Sequence, residues 1–234
     1  MNKKVLLLII ILSVSFESSL FSTHSVSATT QAWELDINKK GIKVFKRKVA
    51  GSPIKEFKAI CIIDSSIYVI GKIMMDFTSY PEWVDSCIEV KKLSCKNPLH
   101  CKIYYAIDLP WPFSDRDTVL DATAQLYLSK GLILANIKSV KNPKIKFPSN
   151  RFRLKTMRIN WVLKEIAPGK TSIIFTSWAD PAGHISAPIA NFASGKIPYK
   201  TLLGLMKMAK NPVYIQAAQG INEHNYKSKL MMNE

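Results

Sequence analysis

The segment Tyr104-Tyr-Ala-Ile-Asp-Leu-Pro-Trp-Pro-Phe-Ser-Asp-Arg-Asp-Thr-Val119 constrains the fold more than any other stretch of this chain. Proline has no N–H to give to a sheet, so Pro110-Trp111-Pro112 has to be a corner between two strands. Arg116, flanked by Asp115 and Asp117, opens the next strand. There Leu120, Ala122, Ala124, Leu126 and Leu128 share one face, with Asp121, Thr123 and Gln125 opposite. That period of two recurs upstream, where Phe57, Ala59, Cys61 and Ile63 face one way and Glu56 and Lys58 the other. Strands are also expected at Trp33–Asn38, Gly41–Val49, Cys87–Cys95, Lys102–Leu109, Leu132–Val140, Arg153–Glu165 and Thr171–Asp180, with turns at Gly41, Gly51, Gly131 and Gly169.

The period changes twice. Ile67, Ile70, Met74 and Phe77 recur at helical spacing, with Ser65 or Ser66 as cap, and Pro81 can start a second short helix. From Ser186 a longer helical pattern places Ile189, Phe192, Ala193 and Ile197 on one face and continues through Leu202–Ala209 to Asn211-Pro212. Pro198 is expected to kink or restart it. This order predicts an α+β domain: one curved antiparallel sheet, covered by the long C-terminal helix.

The first residues read as an address. A basic Met1–Lys4, an apolar run Val5–Leu12 and small residues before Ala28 make up a secretory signal peptide over 1–28. An uncleaved anchor is the competing reading. The domain is then expected over 29–215, with a polar tail over 216–234. Export, whether periplasmic or fully secreted, follows from the leader. The chain has 33 Lys and Arg against 17 Asp and Glu. Residues 1–28 hold only Lys3, Lys4 and Glu17 of these, so removing them changes +16 to +15. An exported protein meets no chromosomal DNA, so anionic lipid headgroups, rather than nucleic acid, are the expected partner of this charge. Simple solubility is the plainer explanation. Ten basic residues and one acid lie between Lys138 and Lys170. At their centre Lys144, Ile145, Lys146 and Phe147 interleave charge with apolar tips, as a membrane-docking loop requires.

Cys95 and Cys101 flank an Asn97-Pro98 turn, so they either close a hairpin disulfide or remain buried thiols. Cys61, on an apolar strand face, reads as a buried thiol. No H-E-x-x-H, no G-x-S-x-G and no phosphate-cradling glycine loop occurs. The chain is therefore expected to be a non-enzyme without metal or cofactor, and a monomer.

Several of these pieces together resemble START domains, the StAR-related lipid-transfer modules: Trp33 with Gly41–Phe45, Ser52–Ala59, Asp76–Trp83, Pro110–Asp117 and Pro188–Pro198. The resemblance spans nearly all of the domain. It implies the helix-grip fold, an internal cavity, and binding and carriage of a lipid or other hydrophobic ligand. Candidate ligand-binding residues on that view are Trp83, Tyr105, Arg116, Ala122, Trp161, Asn191 and Phe192. Arg116 either holds a headgroup or forms a local salt bridge with Asp117 that pins the corner loop, and the second is favoured. Asn191, an amide on an apolar helix face, needs a loop carbonyl or a ligand as partner. The sterol-binding branch has an arginine where this chain has Ala122, which argues against a sterol. Two other functions share this architecture: a polyketide cyclase or aromatase, and a secreted interaction protein whose cavity is filled by side chains.

Overall fold

The computed structural model describes residues 31–141, 148, 150–183, 185–222, 224–226 and 228. The expected leader over 1–28 and the loop residues Lys144–Phe147 lie outside them. Ten strands form one sheet. Three come first: β1 (Glu34–Lys39), β2 (Ile42–Val49) and β3 (Ser52–Ile63). Helix α1 (Ile67–Met75), a 3-10 turn at Phe77–Ser79 and the short α2 (Tyr80–Trp83) lead to β4 (Cys87–Asn97) and β5 (His100–Ile107). After the proline corner come β6 (Arg116–Tyr127), β7 (Leu132–Ser139), β8 (Phe152–Arg153), β9 (Thr156–Ala167) and β10 (Lys170–Asp180). Helices α3 (Ala187–Met208) and α4 (Pro212–Ala217) follow.

Neighbouring strands run in the order β1-β2-β3-β10-β9-β7-β6-β5-β4, all antiparallel, and the two-residue β8 adds to β6 in parallel. The architecture is the expected helix grip. Inward positions of β3, β5, β9 and β10 carry the core, including Phe57, Ala59, Ile103, Ile159, Leu163, Ile173 and Phe175. The outward face is charged. Glu56 is buried there because Arg47 Nη2 at 2.5 Å and Arg158 Nε at 3.3 Å close over it, and Arg158 in turn lies on the Trp178 ring. Part of the basic excess therefore serves the back of the sheet.

Ser66 caps α1 by accepting from Val69 N–H. Asp76 ends it, accepting from Thr78 N–H and, at 2.7 Å, from the hydroxyl of Tyr214 on α4. Pro198 does not divide the last helix: α3 continues through it, with Pro198 itself buried. Packing against the sheet outweighs the one main-chain bond the imide cannot make. The boundary expected after residue 215 falls inside α4. Beyond that helix Ile221 and Tyr226 are buried, Tyr226 against Tyr68 of α1. Among the described residues no helix is long and apolar enough to cross a membrane.

Candidate functional site

Because side chains alternate along a strand, the concave face of the sheet receives every second residue of β5, β6, β7, β9 and β10, and α3 lies across it. The helix leaves space beneath it. A cavity of about 270 Å³ is bounded below by Ile103, Tyr105, Ile137, Ile159, Trp161 and Phe175. The same α3 residues that share an apolar face in the sequence, Ile189, Phe192, Ala193 and Ile197, form its roof, and α2 and the proline corner close its ends. Lys55, Asp85, Arg116, Ser177, Ser194 and Thr201 are the polar residues of the wall.

Trp83, Tyr105, Arg116, Trp161 and Phe192 all meet at this cavity. Trp83 is held by its neighbours. Its ring meets the edges of Tyr80 (5.1 Å between centroids) and Trp161 (6.2 Å), and its Nε1 makes no hydrogen bond among the described residues. Its backbone is fixed by Gly204 of α3, where a Cβ would lie 2.9 Å from Trp83 Cα and closer still to its carbonyl oxygen. Trp161 in turn stacks on Phe175 at 4.3 Å. Phe192 stands at the rim, 68% exposed and covered by Lys196. Burial pushes the Tyr105 phenol well above its ordinary pKa, so it is a neutral wall residue.

Arg116 is 3% exposed, and the salt bridge expected with Asp117 does not form. Adjacent residues of a strand point to opposite faces, so Arg116 reaches the cavity side and Asp117 the outer side. Asp117 accepts from Arg153 Nε at 2.6 Å and from the Tyr104 hydroxyl at 3.1 Å. Arg116 donates to main-chain carbonyls instead: Nε to Pro181 at 2.8 Å, Nη1 to Ser114 at 2.5 Å and Nη2 to Ala182 at 3.4 Å. Burial lowers its pKa, with Asp115 opposing. One cation thus ties the proline corner to the loop between β10 and α3. At the tip of that corner Trp111 is 92% exposed.

Asn191 and Ala122 lie elsewhere. Asn191 Oδ1 accepts from Lys55 N–H at 2.7 Å and its Nδ2 donates to the Pro53 carbonyl at 3.1 Å, so the amide fastens α3 to the start of β3. Ala122 lines a separate, smaller hollow under α1. Cys95 and Cys101 are joined by a disulfide across the β4–β5 hairpin, with Cα atoms 4.0 Å apart. Cys61 and Cys87 are free and buried, and burial pushes both thiols up to about 12, so neither is a nucleophile. The reading of single residues missed Lys55, Asp85 and Thr201, which become neighbours only when α3 crosses the sheet. It also missed Gly204, whose contact with Trp83 has no local signature.

No protein-family model matches the chain. An uncharacterized protein of Pseudomonas aeruginosa is 25% identical over 186 residues, 79% of this chain and 90% of the other. The crystal structure of the STAR-related lipid transfer protein of Xanthomonas axonopodis superposes with a TM-score of 0.70 at 24% identity, covering 77% of this chain and 100% of that one. Human StAR-related lipid transfer protein 5 superposes with a TM-score of 0.68 at 15% identity, covering 78% of this chain and 88% of that one. The chain has the helix-grip fold of the START lipid-transfer domains.

Proposed function

We propose that this protein binds and carries a lipid or other hydrophobic ligand in the cavity beneath α3, after export, and that it docks on anionic membranes without catalysing a reaction. The observation that carries this reading is the apolar cavity itself: α3 spans the concave face and leaves Trp83, Tyr105, Ile159 and Trp161 lining open space. Each methylene of a ligand taken from water into such a space contributes about 0.8 kcal/mol. The START-domain fold supports it, since two structures that share the fold bear the name of lipid-transfer proteins. Export draws support from the apolar leader and from the hairpin disulfide, a bond that persists in oxidising compartments.

Native mass spectrometry of the purified protein, with organic extraction of whatever co-purifies, tests the cargo. A retained lipid is expected, and a protein that neither co-purifies with lipid nor takes one up from vesicles refutes the reading. Docking is tested separately with vesicles containing anionic phospholipid. Charge reversal at Lys144 and Lys146 should lower vesicle binding and leave cargo occupancy unchanged, and salt should weaken the wild-type attraction. N-terminal sequencing of exported material should begin near Thr29.

A further inference from the structure

A second hollow, about 60 Å³, lies on the same concave face beneath α1, and it shares Tyr80, Ile103 and Ile137 with the main cavity. The two follow one another along neighbouring strands. On β6, Leu120 lines the first and Ala122 and Ala124 the second. On β9, Trp161 lines the first and Leu163 the second, and on β7 Ile137 lines both and Ala135 only the second. Successive inward residues of a strand are about 7 Å apart, so a single side-chain step separates the hollows.

Small side chains make the second one. Ala122, Ala124 and Ala135 occupy inward positions where neighbouring inward positions carry Leu120, Ile133 and Ile137, and above them the Tyr226 hydroxyl fills the place of the side chain that Gly71 of α1 lacks. The roof includes Met74 and Met75, unbranched side chains that adapt to what they cover. From Arg116 to Ala124 the inward face of β6 runs eight residue steps, about 26 Å. Tyr80, Ile103 and Ile137, which line both hollows, stand where the two meet, and apolar walls in line along the strands suit a flexible linear chain.

We propose that the two hollows are halves of one tunnel for a long acyl chain, and that Ala122 and Ala135 set the length of chain accepted. This rests on the reading of the protein as a lipid binder and adds the ligand class and its length determinant.

The test equilibrates purified protein with straight-chain saturated fatty acids of graded length and reads occupancy by native mass spectrometry and affinity by displacement of a fluorescent fatty acid. Wild-type affinity should rise with chain length. Ala122→Phe and Ala135→Phe, on separate strands, should each abolish that rise for the longest chains, by about fourfold for each methylene that no longer fits. Both should leave the shortest chains unaffected. Ile62→Phe, on the outer face, should match wild type throughout. Circular dichroism and thermal unfolding confirm that each variant is folded. If folded Ala122→Phe and Ala135→Phe keep the wild-type length dependence, or lose short and long chains alike, the tunnel is refuted while lipid binding stands. If wild-type protein retains no chain of any length, lipid binding itself fails.

Discussion

Gly204→Ala tests how α3 holds Trp83 of α2 at the wall of the cavity. In an isolated helix this change is favourable by about 0.8–1.0 kcal/mol, because alanine restricts the unfolded chain and glycine does not. Here the added methyl would sit 2.9 Å from both the carbonyl carbon and the Cα of Trp83, and closer to its carbonyl oxygen. Those are backbone atoms at the end of α2, so no rotamer change relieves the overlap and the two helices have to separate. Overpacking of this kind costs about 1–3 kcal/mol. Set against the propensity gain, a net loss of up to about 2 kcal/mol is expected. Gly195, one stretch earlier on the same helix, is the control: its Cβ would meet the ring edge of Phe57 at 3.2 Å, a side chain that can give by a few tenths of an ångström. Gly195→Ala should therefore be neutral or stabilising. Urea denaturation with a common slope gives the comparison directly, and thermal unfolding should fall by about 2–4 °C per kcal/mol in a domain of this size. Gly204→Ala should also weaken retention of a hydrophobic probe, since Trp83 moves with its backbone. A Gly204→Ala protein at least as stable as Gly195→Ala would refute the close approach and the account of how Trp83 is held.

Three further outcomes are expected. Arg116→Met leaves the carbonyls of Ser114, Pro181 and Ala182 without their donor, costing about 2–3 kcal/mol and exposing the proline corner and the β10–α3 loop to limited proteolysis; unchanged protection of both would remove Arg116 as their tie. Asn191→Ala removes two hydrogen bonds between α3 and β3, about 1–2 kcal/mol, and should speed the dissociation of a fluorescent fatty acid, whereas an unaltered off-rate would mean that the helix does not move to release cargo. Burial alone would raise the Asp76 carboxyl pKa, but hydrogen bonds from Thr78 and Tyr214 hold it below its ordinary value. A depressed folded-state value stabilises above the unfolded pKa of about 3.9 and is lost as pH falls through the folded one. The stability gap between wild type and Asp76→Asn should therefore be present at neutral pH and close in acid, and a gap constant with pH would refute it.

The alternation Phe57-x-Ala59-x-Cys61-x-Ile63, the helical spacing of Ile67 to Phe77 and the proline corner determined, from the amino-acid order alone, which segments are strands and which are helices. Each is a local periodicity that has to match the geometry of the element it builds. The roof residues of α3 were legible for the same reason, since Ile189, Phe192, Ala193 and Ile197 occupy one face whatever lies opposite. Partnerships across the fold were decided elsewhere. Arg116 and Asp117 are neighbours in the chain, yet the pleat sends them to opposite faces, one to loop carbonyls and the other to Arg153, 36 residues away. Asn191 finds its acceptor and donor 138 and 136 residues away. Ala122 is one more inward residue in the sequence of β6. Only the passage of α1 over that strand, and of α3 over the strand's other end, makes it the floor of a second hollow rather than the first. Periodicity specifies the face a side chain takes, and the packing of distant elements specifies what it meets there.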